Sequence, residues 1–169
     1  MSFSIKHAKP EDAAELLGYF KMVGSESDNL TFGSEGLPFT VEQEQEFIRG
    51  VMTSGNSCML LAKSEQDGRI IGVSSFTCHA RRLSHHGEIG ISVLKEYWNQ
   101  GVGSGLLKEL IVFAKDTAKA EIIALGVRSD NEAAISLYKK MGFEKIGHFK
   151  KYFKIGDQYY DTDFMNLYL

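Results

Sequence analysis

Only two cysteines occur in the chain, Cys58 and Cys78, and neither belongs to a C-x-x-C pair. That spacing offers no zinc or redox motif. Both sit in strand-like contexts, so buried, reduced thiols are expected rather than a disulfide. Long apolar runs are also missing. None approaches the ~20 residues of a membrane span, and the opening stretch MSFSIKHAKPEDAAELL has no apolar signal core. Positive charge is in short supply: 19 Lys and Arg against 22 Asp and Glu leave a net charge of -3, whereas a nucleic-acid partner needs a basic face. Linkers, repeats and low-complexity tracts are absent. The expectation is a cytoplasmic protein with neither nucleic acid nor membrane as partner, folded as a single domain over residues 1–169.

What is present suits a globule, with 43% hydrophobic residues. SFSIKHA reads as a first strand. Pro10 then precedes EDAAELLGYF and suits the first turn of a helix, with Glu11 and Asp12 at its positive end. Residues 24–39 read as a polar, glycine-rich loop. Thr40 and Gln43 have capping-box spacing at the start of a second helix. Two β-rich runs flank Asp67-Gly68 as a hairpin. After RRLSHHG, read as a polar loop, comes the strand EIGISVL. Leu106, Leu107, Leu110, Ile111 and Ala114 repeat at helical spacing. EIIALGV reads as a short buried strand, residues 131–141 as a helix stopped by Gly142, and the chain closes with two strands turning at Gly156-Asp157. This order predicts an α/β (α+β) domain with a mixed sheet.

The junction YWNQGVGSGLL concentrates three glycines, Gly101, Gly103 and Gly105, between a strand and a helix. A glycine-rich strand-to-helix turn offers backbone N–H groups and the helix dipole to an anion, with no Cβ in the way. A phosphate-bearing ligand is therefore expected. The Walker loop is excluded, because Leu106 and Leu107 stand where Lys and Ser/Thr would be. The dinucleotide fingerprint is excluded too, because it would need glycine at position 106.

ISVLKEYWNQGVGSGLL followed by LGVRSDNEAAISLYKKMGFEKIG resembles the acetyl-CoA-binding core of the GNAT-type N-acetyltransferases, over residues 87–147. That family carries Q/R-x-x-G-x-G/A between its fourth strand and third helix, then an Asn-led helix with a tyrosine and a terminal Gly-Phe. The closing strands resemble those of bacterial small-amine and peptide-amine members. One register aligns Gly101 and Gly103 with the family glycines and puts Trp98 where Gln or Arg usually stands. A second uses Gln100, Gly103 and Gly105. The first is preferred, since it sets VGSGLL at the helix start and Val93 at the strand position that pairs with pantetheine. The resemblance implies a mixed, mostly antiparallel sheet of about seven strands flanked by about four helices. It also implies acetyl-CoA as co-substrate, without a metal, and acetyl transfer to a primary amine by direct attack in a ternary complex. The alternative is an acyl-CoA-binding module or sensor without transferase activity.

By the same resemblance, Ile91, Ser92 and Val93 pair with the pantetheine arm, and Asn99, Gln100, Gly101, Val102, Gly103, Ser104 and Gly105 hold the phosphates. Asn131 and Tyr138 share one helix face at two turns' spacing, the asparagine beside the pantetheine arm and the tyrosine near the thioester sulfur. For Asn131 the residue-level alternative is a plain helix start, with Ser129 and Glu132 as its capping box. Glu88 matches the strand glutamate proposed as base in some members, acting directly or through water; the residue-level alternative is a solvated strand-end carboxylate. A base matters more for a lysine-like amine, which costs about 4–5 kcal/mol to neutralise at pH 7, than for an α-amino group at about 1. His85 and His86 point to opposite faces of an extended chain and are not read as metal ligands. Between Met22 and Ile48, Glu26, Asp28, Glu35, Glu42, Glu44 and Glu46 stand without a Lys or Arg. They form either a negative rim for a cationic amine or a solvated, dipole-complementing run. The closing aromatics are read as sheet packing, with a homodimer contact left open. The acceptor partner is a small-molecule or peptide amine.

Overall fold

Alternating and β-branched stretches build seven strands in the computed structural model, which describes residues 2–169. They are β1 Phe3–His7, β2 Ser57–Ser64, β3 Ile70–Cys78, β4 His86–Val93, β5 Ile122–Arg128, β6 Glu144–Ile155 and β7 Gln158–Tyr168. The helices are α1 Ala13–Glu26, α2 Val41–Ser54, α3 Val102–Val112 and α4 Glu132–Lys140. The sheet order is β1-β2-β3-β4-β5-β7-β6. Every neighbouring pair is antiparallel except β4 and β5. This is the mixed, mostly antiparallel sheet with four helices that the resemblance implies.

Local signals set most boundaries. Pro10 opens a 3-10 turn, Pro10–Asp12, that leads into α1. Thr40 Oγ1 accepts from Gln43 N while Gln43 Oε1 accepts from Thr40 N, so the capping box starts α2. Three readings need correction. α1 runs on through Gly24, Ser25 and Glu26, because Gly24 allows an approach that any side chain would block. A Cβ there would lie 2.1 Å from the Gly33 carbonyl oxygen. The stretch RRLSHHG is not all loop: Arg81–Leu83 form a 3-10 turn, and His86 already belongs to β4. Finally, α3 continues into a π-helical turn over Phe113–Thr117.

The two faces of the sheet bury different helices. Leu61, Val73 and Ser92 occupy paired positions, and Ser92 meets Tyr19 of α1, so that face receives α1 and α2. Cys58, Phe76 and Ile89 occupy the opposite face, where Phe76 packs edge-on against Phe113 beyond α3. Leu16 and Ile48 on one side, and Leu106, Leu107 and Leu110 on the other, are fully buried. At roughly 1.5–3 kcal/mol for each such side chain, this burial is the main stabilising term.

Candidate active site

The sheet opens along its middle. β4 and β5 pair only at His86, Gly87 and Glu88, opposite Ile122, Ile123 and Ala124. Beyond that point β4 stays paired to β3 and β5 to β7, while the edges of Ile89–Val93 and Leu125–Val127 separate. A groove of about 570 Å³ fills the gap.

The register fixes which backbone groups face it. Leu94 N donates to Ile71 O at 3.0 Å, so Leu94 and Ile71 form a hydrogen-bonded pair. By alternation, Ser92 and Gly90 spend their backbone groups on β3, and the N–H and C=O of Ile89, Ile91 and Val93 turn to the gap. The predicted trio therefore divides. Ile91 and Val93 present polar backbone to the groove. Ser92 does not, and its Oγ is hydrogen-bonded to the Tyr19 hydroxyl at 2.9 Å. Burial raises the Tyr19 pKa, so that phenol stays neutral.

The glycines have three separate reasons. Gly101 stands before α3 at φ +85, a conformation that strains any other residue. A Cβ on Gly103 would meet only Leu137 and Val93, at 3.5 and 3.8 Å, so its bare face fronts the groove. Gly105 faces away: its Cβ would lie 3.2–3.3 Å from Ile5 and Phe3 of β1. Its N–H is bonded to Gly101 O at 2.9 Å. The unpaired N–H groups of the first turn thus belong to Val102, Gly103 and Ser104. Val102 contributes only backbone, since its side chain is buried over Gly72.

This geometry supports the register with Gly101 and Gly103. Asn99 lines the groove at φ +59. Gln100 does not line it, and its Nε2 donates to Glu96 O at 2.7 Å. Trp98 lines the groove with 42% of its surface exposed, and its Nε1 donates to Val93 O at 2.7 Å. An uncharged indole thus stands beside the helix terminus and occupies the last carbonyl of the open β4 edge.

On α4, Asn131 is the N-cap: its Oδ1 accepts from Ala134 N at 3.3 Å. The Ser129–Glu132 capping box does not form, because Ser129 Oγ donates instead to Asp163 Oδ1 at 2.8 Å. Asn131 and Tyr138 both line the groove. Tyr138 is 7% exposed, its ring rests on Phe143, and burial pushes its pKa up to about 12. Glu88 lies outside the groove lining, with 66% of its side chain exposed and His79 Nε2 3.5 Å away. It shares a face of β4 with Gly90 and Ser92.

Several lining residues carried no local signal in the sequence. Phe20 and Val23 of α1, residues 27 and 29–32 of the following loop, Met59 of β2 and Phe153 of β6 close the groove on the α1 face. Arg128 fixes that loop. It is 8% exposed, pairs with both Asp130 oxygens at 2.6 and 2.9 Å and stacks 3.8 Å over the Tyr160 ring. Its remaining nitrogen donates to Asp28 O at 2.9 Å.

Known proteins share this fold. An acetyltransferase of the GNAT family from Streptococcus pneumoniae has a crystal structure that superposes with a TM-score of 0.95 at 32% identity, covering 99% of this chain and 100% of that one. The fold also matches yncA from Salmonella typhimurium, solved with its cofactor acetyl-CoA, at a TM-score of 0.85 and 19% identity over 100% of this chain and 95% of that one. Among curated relatives, the L-amino acid N-acetyltransferase AaaT of Escherichia coli is 37% identical over 59% of this chain. The N-alpha-acetyltransferase RimI of Mycobacterium tuberculosis is 32% identical over 52%. The matched stretch spans 62% and 54% of those two relatives. The model of the acetyltransferase (GNAT) family matches residues 26–143, and the chain belongs to that family.

Proposed function

We propose that the chain is an acetyl-CoA-dependent N-acetyltransferase acting on a primary amine, with residues 1–169 as one domain carrying both halves of the groove. The observation that carries this reading is the continuity of two unpaired backbone surfaces. The open edge of β4, at Ile91 and Val93, leads to the free N–H groups at the start of α3. An extended chain of amides adds to a strand edge, and a pyrophosphate suits a helix N-terminus. Acetyl-CoA has both parts in that order, and it supplies an acetyl group activated as a thioester.

The residues then have distinct tasks. Val102, Gly103 and Ser104 offer N–H groups to phosphate, and Asn99 and Gly101 shape the turn. Ile91 and Val93 align the pantetheine amides, while Asn131 and Leu137 form the opposite wall. Tyr138 is the catalytic residue on the leaving-group side. With its pKa near 12 against about 8.5 for a thiol, full proton transfer is uphill by about 3.5 units, or ~5 kcal/mol. The phenol therefore acts as a hydrogen-bond donor to the sulfur as negative charge develops there. Glu88, outside the lining, serves as a base through intervening water. The relatives named for L-amino acid and N-alpha acetylation favour an amine of that general kind.

The test has two readouts. Acetyl-CoA at 100 times its Kd should stabilise the protein by about 2.7 kcal/mol, seen as a raised Tm. Thiol release should then depend on added amine. No thermal shift overturns the reading, and a shift without amine-dependent release makes the chain an acyl-CoA-binding module.

A further inference from the structure

The α1 side of the groove is walled by Phe20, Val23, Leu30, Phe32, Met59 and Phe153. Ser27, Asn29, Thr31 and Ser75 supply its polar atoms. Among the described residues, no Asp, Glu, Lys, Arg or His lines the groove anywhere along its length.

The acidic stretch before and within α2 does not change this, because none of its members lines the groove. Glu26 Oε2 accepts from Lys95 N at 2.7 Å, Glu35 Oε1 from Gly33 N at 2.8 Å, and Glu46 pairs with Arg49 at 3.2 Å. Glu42 sits in the first turn of α2. Glu44 is 1% exposed, and burial raises its pKa. The Asp28 side chain is likewise outside the lining, and its carbonyl is held by Arg128. Arg128 follows Val127 of the lining and could in principle receive a substrate carboxylate, but Asp130, Asp28 and Tyr160 already occupy its guanidinium.

We infer that the acceptor is an α-amine with an apolar side chain and a blocked carboxyl, as at the N-terminus of a peptide beginning with an apolar residue. This rests on the N-acetyltransferase reading and names its substrate class. A second ammonium, as in a polyamine, would enter a wall with no counter-charge, and so would the carboxylate of a free amino acid; each is strongly disfavoured. The amine itself must arrive neutral, and the uncharged wall selects that form. At pH 7 about one α-amino group in ten is neutral, against about one lysine-type amine in 2,500. The serine, asparagine and threonine dipoles can take up a peptide carbonyl or N–H without ionic help.

Four probes test this: phenylalanine amide, phenylalanine, spermidine and Nα-acetyl-lysine amide, each with saturating acetyl-CoA at pH 7.5. The expected kcat/KM for phenylalanine amide exceeds that for phenylalanine by at least about tenfold and that for the other two by at least about a hundredfold. Asn29→Asp, which adds a charge to the lining without changing its shape, should move the spermidine-to-amide ratio toward spermidine by about tenfold or more. Turnover that favours spermidine, the lysine amide or the free amino acid overturns the inference and leaves the N-acetyltransferase reading standing. Acetyl-CoA binding with no turnover of any probe overturns both.

Discussion

The two ends of the groove offer different kinds of contact. At the α3 end, the contacts offered are backbone groups from nearly contiguous sequence: Ile91, Val93, and the first turn at Val102, Gly103 and Ser104. At the α1 end they are side chains from α1, the loop after it, β2 and β6. A backbone-built site tolerates many side-chain changes but not a lost bare face. A side-chain-built site can be retuned by single substitutions while the fold stays intact. One scaffold can therefore keep a constant donor and exchange its acceptors.

The largest effect that this contrast predicts is at Gly103. Its Cβ position is open, with Leu137 no closer than 3.5 Å, so Gly103→Val should fold. Its methyl groups would project where phosphate must approach. The Kd for acetyl-CoA should rise by at least about a hundredfold, and the thermal shift should vanish. Equal stabilisation of both proteins by acetyl-CoA would remove the backbone-built end from the picture.

Tyr138 joins the two ends, and Tyr138→Phe should lower kcat by roughly 10–1000-fold, or ~1.4–4 kcal/mol. The affinity for acetyl-CoA should hold, because the ring keeps its place against Phe143. A thioester with a more acidic thiol should recover part of the loss. With the phenol near pKa 12, the group stays protonated over the neutral range. No alkaline limb should then appear near pH 10, where an ordinary tyrosine titrates. A parent-like kcat in the phenylalanine variant would reduce Tyr138 to packing.

Glu88 should matter less. A base in direct contact with the amine contributes about 10²–10⁴-fold, but this carboxylate is largely exposed and outside the groove lining. Glu88→Gln should lower kcat/KM by about tenfold, more for amines of high pKa, with acetyl-CoA affinity unchanged. A loss below threefold for every amine would assign the carboxylate to solvent. The smallest effect is expected at Gly105. Alanine there gains up to about 1 kcal/mol of helix propensity and crowds Phe3 and Ile5. Net stability should change by less than about 1 kcal/mol, with Kd within twofold. A Gly105→Ala variant that lost acetyl-CoA would restore the register that places Gly105 at the phosphate.

The α3 end was legible in the sequence because its chemistry is local. Positive-φ and bare-backbone positions at Gly101 and Gly103 announce themselves as glycine, and the strand before them carries the alternating run Ile89, Ile91 and Val93. Even there, residue type could not separate Gly101, Gly103 and Gly105, since about half a helical turn, two residues, carries the chain from Gly103 at the groove to Gly105 against β1. Nor could it foresee that Gln100 would fold back on Glu96, or that Ser129 would reach across to Asp163 and leave Asn131 as the cap. The α1 end was not legible. Phe20, Met59 and Phe153 read as ordinary core residues of three separate elements, and only the sheet order brings them to one opening. The acidic run looked like a rim because sequence shows charge without partners. The backbone N–H of Lys95, which binds Glu26, lies far along the chain, and that of Gly33, two residues before Glu35, binds it only in this loop conformation.

Trp98 is the sole tryptophan of the chain, and its indole N–H is anchored to Val93 at the end of the open strand edge. The protein therefore carries a single indole, whose emission can be excited apart from that of its seven tyrosines, and it stands at the α3 end of the groove. On the proposed function, acetyl-CoA arriving at that edge should change the polarity around the indole, whereas an amine entering past Phe20 and Phe32 should leave it alone. Stopped-flow emission at rising concentrations of each ligand can then time the two arrivals separately, without a label, and establish the order in which the ternary complex assembles.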